Sequence, residues 1–159
     1  MVVDPAGVLP NKAVSYHDHP SSGQDAPNFS VADYRWEQVG DGGIQTTPTE
    51  LVRWADNYRT GDVGGPDWKR AVLAGAVDVP PGPTGRAARY GAGIFEIDDR
   101  AIGHQGGWEG FVTDFWVSPS RSTSIAVSCN KTFNSGDMGE SLYSIGEMRE
   151  SLVSLWSPS

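Results

Sequence analysis

The sequence predicts an α+β domain in which an antiparallel meander sheet is flanked by helices. Helix signals bracket residues 47–60 and 137–156, and residues 90–130 between them alternate short β-type runs with turn signals. Length sets the scale: 159 residues suit one ordinary domain that hides about two-thirds of its unfolded surface.

Residues 1–40 carry proline at 5, 10, 20 and 27 and few consecutive apolar residues. That composition predicts an extended, turning surface segment, pinned by Tyr16, Phe29, Tyr34 and Trp36. Thr47-Pro48-Thr49-Glu50 marks a helix start, with Thr47 as cap, Pro48 at the first helical position and Glu50 reaching back to close a capping box. Leu51, Trp54, Ala55 and Tyr58 make one apolar stripe, and Gly61 is the stop. A shorter helix is predicted around Asp67 to Leu73, followed by a proline and glycine loop from Val79 to Gly85 that borders a cleft. Strands are expected at Tyr90–Asp98, Ala101–Gly106, Gly110–Val117 and Ser124–Asn130, with turns at Asp98-Asp99 and Pro119-Ser120. Such short connections make neighbouring strands antiparallel. Met138, Leu142, Ile145, Met148, Leu152 and Leu155 then predict a terminal helix lying against the sheet, with Asp137 and Glu140 as a second capping pair.

Composition excludes several function classes. A net charge of −8 with no offsetting run of Lys and Arg repels a phosphate backbone, so nucleic acid is not an expected partner. Cys129 is the only cysteine, which rules out an intrachain disulfide and a cysteine-based zinc site. No apolar run approaches the roughly 18 residues of a membrane span, and the N-terminus lacks the layout of a secretion signal. Compartment stays open, because Met1 leads straight into Val2-Val3-Asp4-Pro5 as though reading began inside something longer. His17-Asp18-His19 reads as an exposed polar loop rather than a metal site. Gly40-Asp41-Gly42-Gly43 lacks the Lys-Ser/Thr of a phosphate loop and puts a carboxylate where an anion would sit. No cofactor is implied.

The chemistry is concentrated in His104-Gln105-Gly106-Gly107-Trp108-Glu109-Gly110. Glycine inside a strand packs nothing, so it marks either a bulge or a backbone that a ligand must touch. An N–H on such a strand can donate to a developing oxyanion, and an adjacent imidazole can supply a proton or partial positive charge. The plainer reading is a bulged strand with a hydrogen-bonded histidine. Trp108, Glu109 and Trp116 could contact a substrate, although aromatic strand residues are more often core.

Three segments then fall in a telling order: Gly40 to Thr47 leading into Glu50-Leu51-Val52-Arg53-Trp54, next Tyr90-Gly91-Ala92-Gly93-Ile94, and last the His104 motif running to Gly110-Phe111. In order and spacing they resemble the C-terminal half of the serine beta-lactamase-like family, which includes class C beta-lactamases, low-molecular-weight penicillin-binding proteins, esterases and D-aminopeptidases. The likeness covers roughly residues 35–156, with a looser match before that through Asp4-Pro5 and Pro10-Asn11. It implies the C-terminal part of a beta-lactamase/transpeptidase-like fold. It also places His104-Gln105-Gly106 where the family carries a Lys-Thr/Ser-Gly or His-x-Gly strand facing the nucleophile. By this resemblance His104 supplies positive charge or a hydrogen bond near the substrate, and the Gly107 N–H is one of two oxyanion donors. Gln105 and Gly106 line the substrate. Gln105 replaces a usually small or hydroxyl residue, which would narrow the wall or bind a polar substituent.

The family's Ser-x-x-Lys helix and its Tyr-x-Asn or Ser-x-Asn element have no counterpart. Ser128-Cys129-Asn130-Lys131 spells the first, but Ser128 ends the strand-like run Ile125-Ala126-Val127, whereas the chemistry needs one helical turn to bring serine and lysine together. The leading expectation is a C-terminal fragment of a serine hydrolase acting on amide or ester bonds, inactive alone. Its partners would be a small-molecule or peptide acyl substrate and the missing N-terminal half, in cis or in trans. The competing expectation is a non-catalytic binding or interaction module derived from that fold.

Overall fold

The computed structural model describes residues 10–19, 28–32, 40, 42–80, 87–97, 101–120, 122–132 and 138–153. Tyr34, Trp36, Asp41, residues 81–85, Asp98-Asp99, Asp137 and Leu155 lie outside them, as do the side chains of Asp18, His19, Met138, Glu140 and Leu142.

Helix α1 spans Pro48–Thr60. The Thr47 hydroxyl accepts from the Glu50 N–H at 3.2 Å, and Gly61 closes the C-terminus at φ 71°, a left-handed conformation suited to glycine. The expected reciprocal cap is replaced: the Glu50 carboxylate pairs with Arg53, one turn along the exposed face. Ala55 is fully buried, and the helix also buries Asn57, a position its apolar stripe does not foretell. Asn57 closes the following loop by accepting from the Val63 N–H at 2.8 Å and donating to the Val63 carbonyl at 3.1 Å. Asn57→Ala leaves both Val63 groups without this partner and is expected to cost about 1–3 kcal/mol, read as a lower denaturation midpoint at unchanged slope.

Helix α2, Gly65–Leu73, begins earlier than expected. It stacks Trp68 against Trp54 and Tyr58 of α1, with ring centroids 5.7 and 5.0 Å apart. The strand expected at Tyr90–Asp98 is broken into a hairpin, with β4 at Ala88–Tyr90 and β5 at Phe95–Ile97. The cause is α2: the Val72 carbonyl accepts from the Ala92 N–H at 2.8 Å, and a Cβ on Gly91 would sit 2.2 Å from that same oxygen. Only glycine lets the chain pass here. β3, Val77–Val79, adds a strand just before the expected loop, sharing only Val79 with it.

The main sheet is a meander of six strands in the order β3-β4-β5-β6-β7-β8, where β6 is Ala101–Trp108, β7 is Phe111–Val117 and β8 is Ser124–Cys129. Every described pairing in it is antiparallel. The β6–β7 hairpin turns on two residues, Glu109 and Gly110, at φ 42° and 82°, a primed turn that matches strand twist. A second sheet, ordered β2-β1-β9, joins β1 (Tyr16–His19), β2 (Asn28–Val31) and β9 (Lys131–Thr132). The segment around His17 is therefore a strand rather than a loop. It backs onto the hairpin tip, where a Cβ on Gly110 would meet the Tyr16 carbonyl oxygen at 2.8 Å.

Successive strand residues point to opposite faces. Ile102 and Val117, opposite each other in β6 and β7, cluster with Ala55, Val72 and Ile94 in the core under α1 and α2. Asp114 and Trp116 point the other way, onto helix α3 at Met138–Val153. The stripe expected on α3 is rotated, since Ile145, Gly146 and Arg149 are buried while Met148 is exposed. The reason is electrostatic: Arg149 must reach Asp114, and that turns Met148 to solvent. Among the described residues no helix is long and apolar enough to cross a membrane.

Candidate functional site

The sheet positions the His104 motif along one strand. β6 pairs with β7 from Ile102 to Trp108, but with β5 only over Ala101 to Gly103. On the β5 side, no described strand runs beside Gly106 and Gly107. Gly106 is exposed, and a Cβ built on it would meet no atom within 4 Å. Nothing inside the described fold therefore requires glycine at 106, in contrast to Gly103, whose missing Cβ would lie 2.2 Å from the Phe115 carbonyl oxygen.

His104 is half-buried at the point where β5 departs. Its Nε2 lies 3.0 Å from the Tyr90 hydroxyl, and its ring packs 5.3 Å from that of Phe95. Burial holds the imidazole pKa below its ordinary value, opposed by a hydrogen bond to the Gln105 backbone. Burial therefore favours the uncharged ring. A neutral ring with its proton on Nδ1 offers the Nε2 lone pair to the Tyr90 O–H, an arrangement that polarises the phenol. Tyr90 was read in the sequence only as part of the Tyr-Gly-x-Gly segment. Its partnership with His104 arises because the meander puts Tyr90 beside Phe95 and Phe95 beside Gly103, a relation that spacing along the chain does not reveal.

Gln105 turns to the α3 face, and its amide Nε2 donates to Asp114 Oδ2 at 3.3 Å. Asp114 is completely buried and pairs with Arg149 Nη1 at 3.2 Å, and the Arg149 guanidinium also stacks 4.5 Å over the Trp116 ring. Burial pushes the Asp114 carboxyl up to about 6, against the pull of Arg149, Gln105 and Trp116. Trp116 attracts the carboxylate without closing a bond, since neither its Nε1 nor Asp114 Oδ1 has a hydrogen-bond partner among the described residues. Trp116 is therefore core, whereas Trp108 stands exposed on the hairpin. Glu109 is engaged by His17 Nε2 at 3.0 Å, which ties the small sheet to the hairpin tip.

Ser128 is exposed on β8, opposite Thr113 of β7, which is itself opposite Gly106. It stands two strand spacings, roughly 10 Å, from β6 and across β7 from the side that β5 leaves. Lys131 belongs to β9, and no helical turn joins it to Ser128. Among the described residues no group of His, Cys, Asp and Glu is placed to hold a metal ion.

The sequence pattern of one family, described as Beta-lactamase, matches residues 3–147. The chain belongs to the beta-lactamase family. No curated protein and no solved structure matches it. The matched stretch of this beta-lactamase-family chain takes in all six strands of the main sheet, α1, α2 and the Tyr90–His104 pair, and it ends inside α3 before Arg149.

Proposed function

We infer that this chain supplies the His-x-Gly wall and oxyanion strand of a serine hydrolase acting on amide or ester bonds. One observation carries the reading: β6 continues past β5 with Gly106 facing open space, beside a histidine already bonded to a tyrosine. A planar acyl group can lie along that backbone with no side chain in its way. The Gly107 N–H is assigned to the oxyanion, a donor type whose removal typically costs about 10²- to 10³-fold in rate. His104, whose burial favours the uncharged ring, acts by hydrogen bonding, and Tyr90 presents a polarised hydroxyl at the same place. Gly106 gives the substrate access, and Gln105 contributes backbone to the wall while its amide serves Asp114.

The nucleophilic serine and its lysine are assigned to a segment outside these 159 residues, joined in cis or in trans, because Ser128 sits on a strand across β7 from the wall. There the serine would attack the carbonyl, the lysine and a tyrosine would carry its proton to the leaving group, and water would release the acyl-enzyme. The 159-residue chain treated with a penicillin or a fluorophosphonate should show no adduct by intact mass. The native protein, its N-terminus read by mass spectrometry, should carry a Ser-x-x-Lys segment that the fluorophosphonate labels. A stoichiometric adduct on Ser128 would overturn the assignment, and a native protein that labels nowhere would leave the fold as a binding module.

A further inference from the structure

We propose that Gln105 is a positioning residue whose amide ties the His104–Gly107 wall to the buried Asp114–Arg149 pair, so that this pair fixes where the oxyanion-donating backbone sits. The proposal rests on the hydrolase reading of β6 for its catalytic meaning, and on geometry for its substance. Gln105 is directly opposite Asp114 in the β6–β7 register and donates to the same oxygen, Oδ2, that Arg149 holds at 3.2 Å. Helix α3 is shaped around this contact: a Cβ on Gly146 would come within 3.3 Å of Gln105 Nε2, so glycine lets the helix lie on the amide. Gln105 is also the immediate neighbour of Gly106 on one side and of His104 on the other, with its side chain on the opposite face from both.

Among the described residues the groups facing Asp114 are few. Arg149 and Glu150 come from α3, Gln105 from β6 and Trp116 from β7, while Val127, opposite on β8, is uncharged. A hydrogen bond to a carboxylate is about twice as strong as one to a neutral acid. Protonating Asp114 therefore slackens the Gln105 contact, and burial places that event near neutrality rather than in strong acid. Loss of the contact leaves the strand segment that carries Gly106 and Gly107 positioned by its β7 pairing alone.

The test is an NMR titration of the 159-residue chain between about pH 5 and 8, a window that brackets the Asp114 transition, following the Asp114 carboxyl carbon and the Gly106 and Gly107 amides. In the wild-type chain the two glycine amides should shift with the same midpoint as the carboxyl carbon. In Gln105→Leu, with its thermal melt retained, the carboxyl carbon should still titrate while the glycine amides cease to follow it. His104→Asn in the same background removes the neighbouring imidazole as a source of shift. If Gln105→Leu does not fold, Asp114→Asn serves instead, again with His104→Asn, and the glycine amides should then be flat. Glycine amides that titrate unchanged in Gln105→Leu or in Asp114→Asn, or that stay still in the wild type while Asp114 titrates, overturn the proposal. Labelling of the native protein separates the two readings. Coupled shifts without labelling remove the hydrolase and leave the positioning contact, whereas labelling without coupled shifts does the reverse.

Discussion

Arg149→Met is expected to cost about 3 kcal/mol at pH 7, the low end for orphaning a buried charge, and markedly less at pH 5. The low end applies because the stranded Asp114 has an escape: its carboxyl already titrates at about 6, and losing Arg149 raises it further, so it takes a proton rather than staying charged in the core. Against a typical domain stability of about 5–15 kcal/mol, the loss is plain in urea melts. Asp114→Asn in the same chain should recover much of it, since the remaining amide carries no charge. A cost that does not shrink on acidification would mean that the pair is not the source.

The same pair sets the sign of the pH dependence. Asp114 rises from 3.8 to about 6 on folding, so its contribution to stability is full below pH 3.8 and disappears as pH climbs through 6. That difference amounts to about 3 kcal/mol at most. His104 runs the other way. Its pKa falls below 6.5 on folding, so its contribution is present above 6.5 and is lost as pH drops through the folded value. The two partly cancel in the wild-type chain. Asp114→Asn should unmask the histidine, giving stability that rises with pH across this range.

The second large effect separates two glycines of one strand. Gly103→Ala is expected to cost about 3 kcal/mol or more, at or beyond the usual upper end for overpacking. Its Cβ would lie 2.2 Å from the Phe115 carbonyl oxygen and 2.4 Å from Trp116 Cδ2. Neither can yield cheaply, because the first belongs to the β6–β7 backbone and the second is stacked under Arg149. Gly106→Ala should leave stability unchanged or raise it by about 0.4–1 kcal/mol, as it meets no neighbour and restricts the unfolded chain. On the proposed hydrolase reading, the same methyl in the native protein should lower the labelling rate about 10²-fold, the size of losing one oxyanion contact. Equal stability costs at the two positions would contradict the geometry, and an unchanged labelling rate in Gly106→Ala would remove the wall from the reaction.

What could be read directly from the residues was local. Thr47, Pro48 and Gly61 delimit α1 because capping and φ preferences act within one turn of chain. The meander was legible because short connections leave antiparallel pairing as the only choice. The hairpin after β6 is expected from the sequence, but its turn is not: Gly110 reads as the start of a strand, whereas it turns the chain with Glu109 at positive φ. Less local features were misjudged. The break at Gly91 needs the Val72 carbonyl, nineteen positions back along the chain, to make sense of it. The α3 stripe was drawn through Met148 because periodicity counts apolar residues and gives a charged Arg149 no inward weight.

The sequence by itself determined the family pattern, through the order and spacing of its motifs, and the antiparallel α+β order and the strand that bears His104, Gly106 and Gly107, which depend on neighbours a few residues apart. Only the tertiary structure decided that Tyr90 meets His104, that Gln105 serves Asp114, and that Ser128 stands across β7 from β6. The physical reason is desolvation. A charge such as Asp114 is tolerable in the core only with Arg149 supplied by another element, and no local pattern states which partner will arrive.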